Sequence, residues 1–497
     1  MTADNDESPP TAAPGGPACF SPALRNVVIV TTLGSFMAFL DSTIVNVALR
    51  TLSVEMTASL ATIQWLTTAY LLAMAAVIPA AGWFATRLGG GRVYIVAVLV
   101  FTAASLACGL AGNVEQLIAF RVAQGTAGGL LLPISQMITM RAAGPALLAR
   151  VMAVSGVPTI LAPVVGPTIG GLLVEHAGWS WIFYVNIPLG LLTALLAVRF
   201  LPADDRSGRA RLDVPGLTLV TAGSVALTYG LAEIGATGHV TDAEVLTAVI
   251  GGLLLAALFV AHALRVEQPL VDLRLYKNKM YAAASVTNIS LGATVFGAVI
   301  LMPLYFQIVR HEDAVNTGLL LIPQGLGAAI AISQAARLTD RFGSGRASLA
   351  GGLVAVIGTV PFALIQNDTG YWFLGAMMFV RGFGIGACAV PAVAAAYRAI
   401  SPAKIPDATV QLNVGQRIGG SAGTGLFAVI LQNRLDEATG PAAQAEGFAT
   451  AFWWVLGIAF VATAPSLGLI ALERSTKRDA ATAGEATAAG APSRPRR

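Results

Sequence analysis

The chain has 497 residues, of which 56% are hydrophobic and 11% charged, with a formal net charge of +4. A soluble domain carries about 25% charged residues, so one water-soluble core is excluded, and with it most soluble enzymes and nucleic-acid binders. Three cysteines (Cys19, Cys108, Cys388) and four scattered histidines (His176, His239, His262, His311) offer no disulfide framework and no metal-ligand spacing.

Residues 1–25 are rich in Pro, Ala, Gly and acids and are expected to form a disordered cytoplasmic tail. Fourteen apolar runs follow, near 26–49, 62–85, 93–111, 116–140, 151–174, 180–201, 214–234, 244–264, 281–307, 316–338, 347–366, 371–397, 409–432 and 448–472. Each has ~20 or more residues, enough for a helix to cross a bilayer. Helices are the only choice, because lipid leaves no backbone group unpaired and the alternation of barrel strands is absent. Residues 473–497, made of Ala, Thr, Gly and Arg, read as a second disordered tail.

The basic residues set the orientation. Of the 30 Lys and Arg, 24 fall in both tails and the loops on their side. Three lie on the opposite side (Arg50, Arg310, Arg434) and three inside runs (Arg121, Arg381, Arg417). This bias places both termini in the cytoplasm.

An internal repeat divides the chain. GWFATRLGGGR at 82–92 returns as ARLTDRFGSGR at 336–346, 254 residues later. Arg121 in the fourth run matches Arg381 in the twelfth, and the Gly-rich 166–171 matches 419–423. The implied organisation is two six-helix bundles, 26–201 and 281–472, joined by a two-helix insertion with its linkers at 202–280. Repeated halves with a site between them are the architecture of secondary transporters.

Five segments carry chemistry or a label. LDSTIVNVAL (40–49) holds Asp41 in an otherwise apolar run. An ionisable group within a span costs at least ~2.5 kcal/mol and is a functional-site hypothesis by default. RVAQGTAGG (121–129) puts Arg121, Gln124, Gly125 and Gly128 on one helical face, and Arg121 needs an acceptor inside the protein. GVPTILAPVVGPTIGG (156–171) includes Gly166, Pro167, Gly170 and Gly171, which allow kinking and close helix approach. The 82–92 loop supplies Gly82, Arg87 and Gly89, and its second copy supplies Asp340, Arg341 and Gly343. WSWIFYVNIPLG (179–190) has the aromatic belt of a membrane interface and is assigned no chemistry.

Together these segments resemble the major facilitator superfamily, in its fourteen-span drug–proton antiporter branch (the EmrB/QacA type). The resemblance covers nearly all of the chain except the tails. It implies an all-α membrane protein with the major facilitator fold, two six-helix bundles plus two inserted helices. It also implies proton-coupled efflux of amphiphilic small molecules, antibiotics among them, by alternating access across a bacterial cytoplasmic membrane. The span 1 motif makes Asp41 the proton site, with Arg121 its partner across a central cavity. The 156–171 segment is similar to the motif found in antiporters and absent as a rule from symporters; it tips the reading from nutrient uptake, the runner-up, to export. In the 82–92 loop Thr86 stands where the family has an aspartate that locks one conformation, which shifts the expected lock to Asp340. Met37, Gln64, Tyr70, Arg381 and Arg417 are candidate substrate-cavity residues. No cofactor is expected beyond the proton gradient. No phosphate-cradling loop is present, no catalytic group is assigned, and the protein is expected to work as a monomer with substrate, protons and lipid as its partners.

Overall fold

The computed structural model describes residues 20–202, 212–237, 242–436 and 438–489. All regular elements among the described residues are helical. The first half comprises α1 (Pro22–Glu55), α2 (Leu60–Val77), the short α3 (Ala81–Phe84), α4 (Gly90–Gly109), α5 (Val114–His176), the short α6 (Trp181–Tyr184) and α7 (Asn186–Phe200). Two inserted helices follow, α8 (Val214–Thr237) and α9 (Ala243–Arg265). The second half comprises α10 (Lys279–Ile308), α11 (Ala314–Phe342), α12 (Ser344–Thr359), α13 (Tyr371–Arg398), α14 (Ile405–Asp436) and α15 (Pro441–Ala489).

Eleven helical stretches among the described residues are long and apolar enough to cross a membrane, so the chain is a multi-pass membrane protein. The expected fourteen runs do not reappear one for one. Thr62–Gly109 is a 48-residue apolar stretch that turns at Gly89, where φ is 94° and ψ 132°. α5 runs for 63 residues and changes direction at Gly144, where φ is 63° and ψ 171°. α14, with its Gln, Asn, Arg and Gly residues, falls short of the apolarity of the others.

The tails differ from expectation in one respect. Residues 1–19 lie outside the described residues, and α1 already begins at Pro22. The segment from Arg474, read as disordered, is helical as far as Ala489. Its alanines have the highest helix propensity, so they extend the turn begun in the preceding span.

The repeat is visible in the packing. α1 lies along α5 as α10 lies along α14, and α2 and α4 flank α5 as α11 and α12 flank α13. The two loop copies turn at Gly89 and Gly343, with φ of 94° and 85°. Positive φ at both positions is why each copy keeps a glycine there.

Small residues set the helix distances. A Cβ at Gly125 or Gly129 on α5 would strike the backbone of α2 at Tyr70 and Met74. A Cβ at Gly166 or Gly170, on the other limb of α5, would strike Thr43 and Ile44 of α1. Both pairs have the small-xxx-small spacing that lets membrane helices touch.

Among the described residues, a shared apolar cluster joins the halves at one end. Leu24 and Val28 of α1 and Met140, Leu148 and Val151 of α5 share a cluster with Tyr281, Tyr397, Leu412 and Leu469 of the second half. Leu24 and Leu469 place the first and last spans with their chain-terminal ends together. At the other end the clusters are separate, one built on Ile44, Leu52, Ile63 and Ile182, the other on Tyr305, Phe362, Phe448 and Phe452. The halves are therefore closed on each other at the terminal end, while at the opposite end their buried clusters are parted into two.

α8 bridges the halves at the periphery. It packs on α2, where Thr221 donates to the Ala76 carbonyl (3.0 Å) and Tyr229 stacks on Trp65, and on α14. α9 packs on α8. The base of this pair is pinned by Asp213, which accepts from His262 Nε2 (2.8 Å), the Gly216 amide (2.9 Å) and the Leu270 amide (3.1 Å). One carboxylate thus ties the start of α8, the end of α9 and the linker. Burial pushes its pKa up, but the His262 ring and the two amides outweigh burial and hold it below its ordinary value. Such a group adds stability above the unfolded-state pKa of about 3.9, and that contribution is lost as pH falls through the folded value. Asp213→Ala is expected to cost about 1–3 kcal/mol at pH 7 and to flatten the acid limb of stability. Thermal unfolding of the detergent-solubilised protein between pH 3 and 7 reads both; an unchanged acid limb removes Asp213 from this role.

Candidate functional site

Five helices of the first half converge on Asp41, which has no exposed surface. Arg121 of α5 donates from Nη1 to Asp41 Oδ2 at 2.6 Å. Gln124, one helical turn on, donates from Nε2 to Oδ1 (2.9 Å). Asn186, the first residue of α7, donates from Nδ2 to the same Oδ1 (2.8 Å). Arg121 also donates to Gln124 Oε1 (2.7 Å) and from Nε to the Leu66 carbonyl of α2 (3.2 Å). Ser105 of α4 closes the ring: it accepts from Gln124 (3.0 Å) and Asn186 (3.0 Å) and donates to the Phe183 carbonyl (2.9 Å). Cys108 points its thiol at Gln124 Oε1 (3.7 Å).

Apolar walls surround this ring. The Arg121 guanidinium lies 4.0 Å over the Tyr70 ring and 6.0 Å from the Phe183 ring, contacts that favour a cation out of water. Tyr70 itself is anchored by its hydroxyl to the Ala38 carbonyl (3.2 Å). Two buried polar atoms of the ring keep no partner, Arg121 Nη2 and Asn186 Oδ1. The carboxylate accepts hydrogen bonds from one cation and two amides. Adding a proton to it would remove the charge that balances Arg121, so protonation here bears on how five helices sit together.

The expected pairing of Asp41 with Arg121 is present, and Gln124 and Gly125 stand beside it as their helical face implied. Gly166 and Gly170 bring α5 against α1 next to Thr43 and Ile44. Gly171 follows them, and the side chain of Pro167 is outside the described residues. Asn186 and Ser105 were not anticipated. Asn186 lies in the WSWIFYVNIPLG segment that carried no assigned chemistry. Its signal was physical: a buried amide is costly unless bonded, and Asn186 opens a span.

Three expectations need correction. Met37 and Tyr70 do not line a cavity; both are fully buried in the packed core of the first half, because α1 and α2 are apolar on several faces and periodicity alone does not say which face looks inward. Gln64 is exposed on α2. Asp340 is exposed and makes no ion pair or hydrogen bond among the described residues. Arg87 and Arg341 are exposed as well, Gly82 packs 3.5 Å from the Pro406 carbonyl, and the Thr86 hydroxyl turns back on the Gly82 and Trp83 carbonyls. Contact across the closed end runs instead through Asn413 of α14, which donates to Gln136 of α5 (2.7 Å).

A cavity of about 200 Å³ remains between the halves at this closed end, lined by Thr31, Ser35, Ser135, Gln136, Thr139 and Tyr397 among others. A drug-sized ligand needs ~300–1,000 Å³, so the cavity is too small for one as it stands. Arg381 is buried on α13 and Arg417 half-buried on α14; neither lines it.

The chain matches the Major Facilitator Superfamily over residues 31–424. It is 40% identical over 405 residues to the multidrug resistance protein B homolog of Mycobacterium tuberculosis (strain ATCC 25618 / H37Rv), covering 81% of this chain and 75% of that protein. It is 28% identical over 417 residues to the multidrug export protein EmrB of Escherichia coli (strain K12), covering 82% and 80%. Its fold is like that of the crystal structure of a double Trp XylE mutant, with a TM-score of 0.63, 14% identity, and coverage of 89% of this chain and 95% of that one. Five converging helices around a buried ion pair, two repeated halves and these likenesses place the chain in the Major Facilitator Superfamily, within its drug–proton antiporter branch.

Proposed function

We propose that this protein exports amphiphilic small molecules, antibiotics among them, across a bacterial cytoplasmic membrane in exchange for protons. It is a transporter and not an enzyme. The observation that carries the coupling is the Asp41–Arg121 pair, completely buried and held by Gln124 and Asn186. The multidrug names of the relatives support the class of substrate.

Fourteen crossings with both termini in the cytoplasm fit this reading. The 48-residue stretch counts as two crossings, and the second limb of α5 and α14, each flanked by spans, add two more. The 24-to-3 bias of Lys and Arg puts the terminal end inside. The closed end then faces the cytoplasm and the parted end faces out, so the conformation is outward-facing.

In this state Asp41 is the anion that awaits a proton. Protonation breaks its charge balance with Arg121, lowers the affinity for substrate or favours the return of the halves, and delivers the proton inward when the terminal end opens. One proton moving inward releases about 2.3 kcal/mol per 100 mV, enough for a roughly fiftyfold gradient of a neutral substrate. A single acid per cycle therefore suffices.

Two measurements test the reading. In inverted vesicles, Asp41→Asn is expected to abolish proton-driven dye accumulation while the protein still folds; undiminished coupled transport removes Asp41 from the role. Accumulation by intact cells, in place of depletion, would mark an uptake carrier. Arg121→Ala strands a buried carboxylate and is expected to cost about 3–5 kcal/mol. Adding Asp41→Asn to it should restore part of that loss in thermal unfolding, and simple additivity of the two changes would show that the pair is not coupled.

A further inference from the structure

The described transmembrane core holds three guanidiniums and one carboxylate. Asp41 and Asp213 are the only buried carboxylates among the described residues, and Asp213 lies outside the spans. Asp41 is consumed by Arg121. Arg381 and Arg417, both in the second half, have no acid to balance them.

Arg381 occupies the place in the second half that Arg121 occupies in the first, and its surroundings differ in kind. It is 1% exposed. Its Nη1 donates to Gln124's counterpart in role, Gln324 Oε1 of α11, at 3.2 Å, and its Nη2 to the Thr294 carbonyl of α10 at 3.3 Å. Both partners are neutral and both bonds are long beside the 2.6 Å of the Arg121 pair. Its Nε has no partner among the described residues. Where α1 offers Arg121 a carboxylate, α10 offers Arg381 only a backbone carbonyl. Gln324 is only half-buried, so the guanidinium stands one side chain from accessible space. Arg417 of α14 makes no hydrogen bond or ion pair among the described residues, and its one electrostatic neighbour is Tyr70 of the first half. Its charge is therefore felt at the junction of the halves.

A buried cation without a counter-charge is costly, and burial is tolerated when a hydrogen-bonded anion joins it. Guanidinium matches carboxylate in geometry as well as charge. We propose that Arg381 is an anion subsite that takes the carboxylate of an amphiphilic substrate. The proposal rests on the export reading for its physiological meaning and names the substrate class: amphiphilic acids in preference to amphiphilic cations, which would meet an uncompensated positive charge.

The test is equilibrium binding to the purified full-length protein in a neutral detergent, read by fluorescence with two probes sharing one pyrene body. One carries a butyrate, the other a butyl trimethylammonium. The wild type is expected to favour the butyrate by about tenfold or more, the worth of a hydrogen bond to a charged group. Arg381→Gln should remove most of that preference, and Arg381→Lys should restore part of it. If Arg381→Gln does not fold, Arg381→Lys, with a reduced preference expected, carries the test. Equal binding of the two probes by the wild type, or a preference that survives Arg381→Gln or Arg381→Lys unreduced, overturns the proposal. Displacement of the butyrate by excess chloride, or by added phosphatidylglycerol, also overturns it, because the site would then belong to an inorganic ion or a lipid headgroup. Binding is read without transport, so the two readings fail separately. Loss of export leaves an Arg381-dependent preference standing, whereas intact export by an Arg381→Gln variant that keeps the full butyrate preference leaves export standing and removes the subsite.

Discussion

The arrangement depends on a charge pair kept entirely out of water. Removing a carboxylate and a guanidinium from solvent costs several kcal/mol each, and their attraction repays this only when the remaining polar atoms are satisfied. Asp41 meets that condition with donors from α5 and α7, and Arg121 meets most of it with Gln124, the Leu66 carbonyl and the Tyr70 ring. The partners are drawn from several helices. The pair can therefore exist only while α1, α2, α4, α5 and α7 hold one mutual arrangement. A change of charge at one oxygen acts on that arrangement as a whole.

Glycines make the convergence possible. Gly125 and Gly129 let α5 touch α2 beside Tyr70, and Gly166 and Gly170 let it touch α1 beside Thr43. Larger residues there would hold the helices apart, lengthening hydrogen bonds that are now 2.6–2.9 Å. The second half keeps comparable glycine contacts, with Gly419 and Gly423 of α14 against α10, but it lacks the acid. The two halves are thus alike in packing and unlike in charge. The buried ion pair belongs to the first half, and Arg381, with neutral partners, belongs to the second.

Much of this was legible in the sequence because the membrane makes polar residues rare. Asp41 and Arg121 stand out in apolar runs, and the helical face of Arg121 already contained Gln124 and Gly125. The repeat was legible from its loops, and the matched left-handed Gly89 and Gly343 explain why that pattern is strict. What periodicity could not supply was facing. A helix that is apolar all round gives no inward side, so Met37 and Tyr70 were assigned to a cavity when they belong to a packed core. Asn186 was hidden because its neighbours are aromatic and read as an interface belt. Ser105 was hidden because a small hydroxyl costs little in an apolar run and so draws no notice. The extent of helix after Arg474 was missed for the opposite reason: alanine is weakly hydrophobic yet helix-forming, and composition was read as disorder.

The closed end shows how the two conformations are balanced. With Thr86 in place of an acid and Asp340 exposed, no described ion pair joins the first half to the second there. Closure rests on apolar contact among Leu24, Val28, Met140, Val151, Tyr281, Tyr397 and Leu412 and on the Asn413–Gln136 hydrogen bond. Apolar contact is non-directional and weakly affected by salt, so it can be exchanged for a similar contact at the other end at small net cost. A latch of strong ion pairs would instead favour one state by several kcal/mol, more than a single proton supplies at ordinary membrane potentials. A weak apolar closure leaves the arrangement of the first half to be set by its buried Asp41–Arg121 pair.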